Sequence, residues 1–563
     1  MKLILTQRFS TSHIVTLIAA ICTLFVPGLA NADSRINDCS RWNKEAPLEW
    51  LSTQDNIQAS RHIASLLMAA RSHGLDPADY QADELAQQLV ILSSGSGSDL
   101  QRNEFNARFT RSVLCYVQNV SGGRLNPYGL YKEIWLPRQQ FDQREPLQAA
   151  LTAGKVQDYV LSAAPQSDDY ANLRNSLTGL SDLASREGDL SDLRLSGVAS
   201  VKPGQRHNVI LAVRQRLEFL GDFKSADGIS GTQFDSVPDT HPKDLLDPVL
   251  ETAVRRFQER HGLTVDGMVG REVLKAMRTP LTHRIAQAEL AMERIRWYPR
   301  SSARMVRVNI PDFSMQAVAP DADGLPSTLT SKVIVGQAGK RHTPLFAGPL
   351  TRIELSPMWF VPTSIARKAL LPTIRSNPSY LENRDFEFRM ASGATTQRVN
   401  SALLRGVARG SVRIQQRPGK HNALGQVKFV LPNSRAIYLH DTNKPQLFEL
   451  DSRSLSYGCV RVAKPLALAK LLLADNTNWT ARSVEVAASS SRTVVAKPAT
   501  ETTVMLQYLT AIATDNGQIR FVPDVYAMDK AAFKALNRWS NPVVPSAPDL
   551  ELLARLQDTA SAS

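Results

Sequence analysis

The prevailing period of the hydrophobic pattern changes near residue 302, and a fold built from one kind of secondary structure cannot accommodate both parts. Before that point apolar residues recur every three or four positions. "IQASRHIASLLMAARSHGL" stops at Gly74 as a helix does, and "RNEFNARFTRSVLCYVQNV" runs into "SGGRLNP", a loop by composition. After it, "MVRVNIPDFSMQAV", "LTSKVIVG", "LTRIELSPMWFVP", "VKFVLP" and "AIYLHD" are short alternating runs bounded by Gly, Pro, Asn and Asp, the signature of strands. The expectation is a multidomain α+β protein, with a helical scaffold over 33–200, a smaller helical unit over 205–278 and a mainly-β domain over 300–535.

The smaller unit reads as three helices: "VILAVRQRLEFLGDF", "LLDPVLETAVRRFQERHGL" and, after a turn at Asp266-Gly267, "TVDGMVGREVLKAM". Its segments resemble, in order, the three-helix peptidoglycan-binding domain; a generic helical module is the alternative. Within the mainly-β domain, 363–411 reads as a polar helical insertion, suited to cover a cleft as a lid. "VAKPLALAKLLLADN" predicts a helix with Pro465 in its first turn. Residues 487–501 read as a flexible surface loop. "TVMLQYLTAIATDNGQIRFVPDVY" reads as a hairpin turning at Asp515-Asn516-Gly517 and joining the sheet of the mainly-β domain. The segment 540–563, rich in prolines and small residues, reads as a flexible tail.

The first 32 residues have the form of a secretory signal: Lys2 and Arg8, the apolar "IVTLIAAICTLFV", then Ala30-Asn31-Ala32 as an A-x-A cleavage site. That apolar run is shorter than a membrane-spanning helix needs, so cleavage after Ala32 is favoured over a retained anchor, and no later stretch predicts a span. The net charge of +13 falls to about +11 without Lys2 and Arg8. In an exported protein this suggests anionic surroundings such as headgroups or wall polymer. Nucleic acid is not expected, since no basic cluster is interleaved with aromatics. Of the four cysteines, Cys22 leaves with the signal. An odd count in an oxidising compartment leaves one thiol over. Cys39 and Cys115, both N-terminal, are the expected disulfide, with two buried free thiols as the alternative. Cys459 is the remaining thiol.

Cys459 follows Gly458, where backbone can approach a substrate closely and successive N–H groups can form an oxyanion hole. A reacting thiol needs a base. His440, nineteen positions upstream at the end of "AIYLHD", is the candidate, with Asp441 orienting its ring through either the carboxylate or the backbone carbonyl. The histidines are scattered without ligand spacing, so neither a metal nor another cofactor is expected.

"HDT" (440–442) followed by "SYGCVRV" resembles the signature of the L,D-transpeptidases with a YkuD-type catalytic domain. "VIVGQAGKRHTPLFAG", "SPMWFVPTSIARK" and "RIQQRPGKHNALGQVKF" resemble the large periplasmic members of Gram-negative bacteria, which carry a scaffold, a peptidoglycan-binding domain and a lid. Tyr457 departs from the general signature, which has histidine there. The resemblance implies Cys459 as nucleophile, His440 as general base and later acid, and the backbone of Tyr457, Gly458 and Cys459 as oxyanion donors. Arg461 would bind stem-peptide carboxylates or support the site, and Trp359 and Tyr438 would line the substrate groove. His342 and His421 read as surface residues. The implied activity is formation of 3-3 peptidoglycan cross-links through a thioester, with acylation by carbapenems. The implied partners are stem peptides, and other cell-wall synthesis proteins are admitted. A hydrolase or carboxypeptidase using the same acyl-enzyme and a catalytically silent wall-binding scaffold are the rivals.

Overall fold

The computed structural model of the chain describes residues 39–137, 142–223, 242–300, 303–321, 323–514 and 517–536. The expected signal at 1–32 and the expected tail at 540–563 lie outside the described residues. Within them, buried apolar side chains gather into separate clusters for the N-terminal helices, the small helical unit, the sheet domain and the insertion.

The N-terminal cluster forms where amphipathic helices turn their apolar faces inward. The side chain of Thr53 caps the helix Gln54–Met68 by accepting from the Asn56 N–H, and Ser98 with Gln101 forms a capping box on Asp99–Gly122. A disulfide joins Cys39 to Cys115, with Cα atoms 5.4 Å apart, and ties the N-terminal turn Ser40–Lys44 to that long helix. The small unit consists of the helices Val209–Phe219, Pro248–Arg260 and Arg271–Met277 around its own core. Buried Asp247 caps the second of these through the Val249 and Leu250 N–H groups and pairs with Arg214 at 2.5 Å.

The sheet domain is organised by one 12-stranded sheet. Its strands are β1 (Ile134–Trp135), β2 (Met305–Asn309), β3 (Ser314–Pro320), β4 (Pro326–Gly336), β5 (Leu345–Pro349), β6 (Arg352–Leu355), β7 (Val427–Val430), β8 (Tyr438–His440), β9 (Ser454–Ser456), β10 (Val460–Val462), β11 (Val494–Ala496) and β12 (Thr503–Gln507). The order is β1-β5-β12-β2-β3-β4-β10-β8-β7-β6-β11, with β9 pairing β4 in addition. β9 runs parallel and β10 antiparallel to the end of β4, so Tyr457–Cys459 turns around Gly336. β1 comes from the helical region and pairs in parallel with β5, so that region supplies an edge of the sheet.

Four features differ from the sequence reading. The insertion contains helices, as expected, but also a four-stranded sheet in which Phe386–Arg389 and Arg413–Gln416 pair centrally and Trp359–Phe360 forms an edge. Its alternating apolar residues Phe386, Phe388 and Ile414 close a core of their own. Residues 487–501 are not simply a loop, because β11 adds to β6 at the sheet edge. The segment read as one hairpin divides: β12 enters the 12-stranded sheet, while the hairpin Ala511–Ala513/Ile519–Phe521 packs on the helical core. Burial of Leu509, Ala511, Ile519 and Phe521 against those helices outweighs continuation of the sheet.

The fourth is the helix Leu281–Ile295, which joins the two main cores. Buried Glu293 accepts from the backbone N–H groups of Arg124 (3.0 Å) and Leu125 (2.8 Å), and Arg294 pairs with Asp529 at 2.6 Å. Arg296 donates to the Tyr170 hydroxyl at 2.8 Å and pairs with Glu293 at 3.2 Å. Charges this deeply buried persist because each is paired and hydrogen-bonded.

Candidate active site

The site forms where β8 and β10 lie side by side. Their parallel pairing sets Leu439 opposite Val460 and His440 opposite Arg461. Leu439 and Val460 point into the core. Alternation along a strand therefore places Tyr438, His440, Cys459 and Arg461 together on the other face. Lys428, opposite His440 on β7, joins them, with its ammonium 3.0 Å from Glu354 and 4.8 Å from the Tyr438 ring centroid.

His440 is buried, and its Nδ1 lies 2.5 Å from the backbone carbonyl of Asp441. Burial first, then the Arg461 guanidinium, holds its pKa down to about 3; Lys428 adds to this and the Asp441 carbonyl opposes it. The ring is thus neutral at neutral pH. A neutral imidazole bonded to a carbonyl through Nδ1 carries its hydrogen there and leaves the Nε2 lone pair available as a base. The choice left open at Asp441 falls to its backbone. The carboxylate instead accepts from the N–H groups of Gln426 (2.8 Å) and Thr442 (2.7 Å).

The Cys459 thiol is partly buried and donates to the Ala436 carbonyl at 3.6 Å. Burial pushes its pKa up to about 11, against the opposing effects of the Tyr438 N–H and O–H, Lys428 and Arg461. The resting pair is therefore a thiol and a neutral imidazole, so charge separates only as the thiol proton moves. Tyr438 and Cys459 shift one another's titration, the phenol favouring the thiolate, and the Trp359 side chain acts on Tyr438 in turn. Trp359, placed by the insertion's edge strand, thus connects the insertion to the nucleophile through Tyr438.

Gly458 sits at φ +116°, and a Cβ there would lie 3.3 Å from Ile437 Cδ1. Its N–H donates to Ser456 Oγ at 3.0 Å, and the Ser456 hydroxyl donates to the Cys459 carbonyl at 2.5 Å. This corrects the expected oxyanion set at one position: the Gly458 amide is already committed, which leaves the backbone N–H groups of Tyr457 and Cys459 as candidates. Tyr457 is 51% exposed, with the Arg341 guanidinium 3.4 Å from its ring centroid. The Arg461 Nε is buried without a hydrogen-bond partner, and burial lowers that group's pKa.

His342 is not the free surface residue expected. Its ring stacks on Tyr526 at 4.1 Å between centroids, and its Nε2 accepts from the Gly339 N–H at 3.0 Å. His421 is also partly buried and bonds Asp385 at 2.9 Å within the insertion. Sequence reasoning missed Thr343, which accepts from the Gly336 N–H and donates to the Gly458 carbonyl, each at 2.8 Å. It also missed Ser456, Lys428, Ala436 and Arg341. Ser456 bonds within the Cys459 turn itself, whereas Lys428, Ala436 and Arg341 approach that turn across strands or loops, where spacing carries no sign of them. No cluster of His, Cys, Asp and Glu able to hold a metal occurs among the described residues, and no helix among them is long and apolar enough to cross a membrane.

Comparison with known proteins gives three family matches. Residues 303–495 match the L,D-transpeptidase catalytic domain (YkuD), 43–177 the Scaffold domain, and 206–277 the family described as "Putative peptidoglycan binding domain". A Haemophilus influenzae protein named "Putative L,D-transpeptidase" is 33% identical over 232 residues, a stretch that covers 41% of this chain and 46% of that relative. The chain spans less than half the length of this curated relative. The site described above lies inside the stretch that matches the catalytic domain, and the chain carries, in order, stretches similar to the Scaffold domain, a peptidoglycan-binding domain and the YkuD L,D-transpeptidase catalytic domain.

Proposed function

We propose that the protein is an exported L,D-transpeptidase that forms 3-3 cross-links in peptidoglycan through a thioester on Cys459. The observation that carries this reading is a half-open thiol sharing one sheet face with a neutral imidazole whose tautomer is fixed by the Asp441 carbonyl. His440 Nε2 takes the thiol proton as Sγ attacks the carbonyl between the third residue and the terminal D-Ala of a tetrapeptide stem. The backbone N–H groups of Tyr457 and Cys459 receive the developing oxyanion. The imidazolium, a strong acid in this setting, returns its proton to the departing D-Ala nitrogen as the C–N bond breaks. A side-chain amine of a neighbouring stem then attacks the thioester and gives up a proton through His440, and the thiol is restored as the new amide forms. The thioester conserves the acyl group for transfer, so the sequence requires neither ATP nor a cofactor.

The peptidoglycan-binding domain and the positive charge support a wall-bound enzyme in the periplasm. The test is product analysis after incubating the mature protein with disaccharide-tetrapeptide. Dimers linked 3-3 from wild type, and none from Cys459→Ala, support the transferase. Shortened monomers without dimers would replace it with a hydrolase, and unchanged muropeptides with binding to sacculi would leave a wall-binding scaffold.

A further inference from the structure

The segment 337–343 forms a wall beside the nucleophile, and many bonds fix it there. The Gln337 N–H donates to the Ser456 carbonyl at 3.0 Å and the Ala338 N–H to Ser454 Oγ at 2.9 Å. The Arg341 N–H returns to the Gln337 carbonyl at 3.0 Å. Thr343 bridges the Gly336 amide and the Gly458 carbonyl, while Tyr526 receives the Thr343 N–H at 3.2 Å and donates to the Gly336 carbonyl at 2.6 Å. The fold-back is so close that a Cβ on Gly336 would sit 2.0 Å from the Arg341 carbonyl oxygen. Position 336 is therefore restricted to glycine, and the Arg341 backbone is held next to the Tyr457–Cys459 turn.

The Arg341 side chain leaves this wall to lie over Tyr457, 3.4 Å from the ring centroid. A guanidinium resting on an aromatic ring satisfies its faces and leaves its N–H edge free to make paired hydrogen bonds in its own plane. No carboxylate among the described residues pairs with it. Holding a cation in one orientation at the mouth of a site, with its donors unspent, is an arrangement suited to a planar anion. Tyr457, two residues before the nucleophile, provides the surface that orients it.

We propose that Arg341, held over the Tyr457 ring, binds a carboxylate of the stem peptide and thereby sets substrate specificity at the mouth of the Cys459 site. This rests on the transpeptidase reading above. Stem peptides carry several carboxylates, and all of them offer the same planar, bidentate acceptor. The carboxylate that Arg341 takes is identified by amidating each in turn.

The experiment compares the full mature wild-type chain with Arg341→Gln, Arg341→Lys and Tyr457→Leu. Substrates are disaccharide-tetrapeptide and analogues in which each stem carboxylate in turn is amidated. Loss of a charge-assisted contact to bound substrate predicts a KM raised roughly 10- to 100-fold in Arg341→Gln, with kcat within about twofold. Arg341→Lys should recover part of the loss, and Tyr457→Leu should raise KM to a smaller extent. On one amidated analogue wild type and Arg341→Gln should converge, which names the carboxylate. Equal KM values for wild type and Arg341→Gln would overturn the inference while leaving the transpeptidase intact, as would a KM difference that survives every amidation. A wild-type chain that turns over none of these substrates would instead overturn the underlying reading, and the assignment of Arg341 with it.

Discussion

Replacing Tyr438 by Phe removes one oxygen from the site and keeps the ring between Lys428 and His440. That oxygen favours the thiolate form of Cys459 and is itself influenced by the Trp359 side chain. A hydrogen bond to a charged acceptor contributes about 1.5–3 kcal/mol, so its loss should raise the thiol pKa further, by about 1–2 units. The sign follows from the donor's preference for the thiolate: removing it disfavours the charged form. At a fixed pH of ~8 the thiolate fraction would then fall about 10- to 100-fold, while the more basic thiolate is intrinsically more nucleophilic, with a Brønsted slope of roughly 0.4–0.5. Alkylation by iodoacetamide should therefore slow by about 3- to 15-fold. The assay is the second-order alkylation rate followed by intact mass, with Cys459→Ala as the blank. A Tyr438→Phe rate equal to or above wild type, in a chain with unchanged melting temperature, refutes this role for the hydroxyl.

The same thiol and imidazole predict an unusual pH profile. With Cys459 pushed up to about 11, wild-type alkylation should climb through pH 9 without levelling at the usual thiol value. With His440 held down to about 3, kcat/KM should show no acid limb near pH 6.5, as a rate profile of the purified chain will reveal. Gly458→Ala places a side chain at φ +116° and crowds Ile437, a conformational cost of about 1–3 kcal/mol. Because the turn can shift to relieve it, acylation should drop at least about tenfold while the melting temperature changes little. Substituting both Cys39 and Cys115 by Ser removes a cross-link spanning 76 residues and should destabilise the helical region by about 2–4 kcal/mol in urea titration. The sheet domain has its own core, and Cys459 reactivity should survive.

Much of the site was legible because its chemistry is sparse in the sequence. One unpaired cysteine behind a glycine, and one histidine at a strand end, leave few other ways to assemble a nucleophile and its base. The tautomer was not legible, since Asp441 offers both a carboxylate and a carbonyl, and only the fold commits the carboxylate to the amides of Gln426 and Thr442. Periodicity separated the helical and sheet regions. It failed at the insertion, where Phe386–Arg389 and Arg413–Gln416 are too short to stand out between helices. It failed also at Ala511–Ala513, whose pattern suits any sheet and whose partner was chosen by helical surface elsewhere in the chain. The helix Leu281–Ile295 carries Glu293 and Arg294, and Arg296 follows it; all three look like solvated charges in sequence and are among the most deeply buried of the described groups. Thr343 bonds the Gly458 carbonyl and Arg341 lies over Tyr457 from more than a hundred residues away in sequence, so no local pattern announces them.

The central claim is that the acyl group passes through the Cys459 sulfur. The most direct measurement is acid quenching of the mature chain during turnover of disaccharide-tetrapeptide, followed by mass mapping of the peptide that contains Cys459. The account predicts a disaccharide-tripeptide adduct on that peptide alone, released by hydroxylamine as a thioester should be and absent from Cys459→Ala. Cross-linked dimers formed by Cys459→Ala, or an adduct on any other residue, would contradict it.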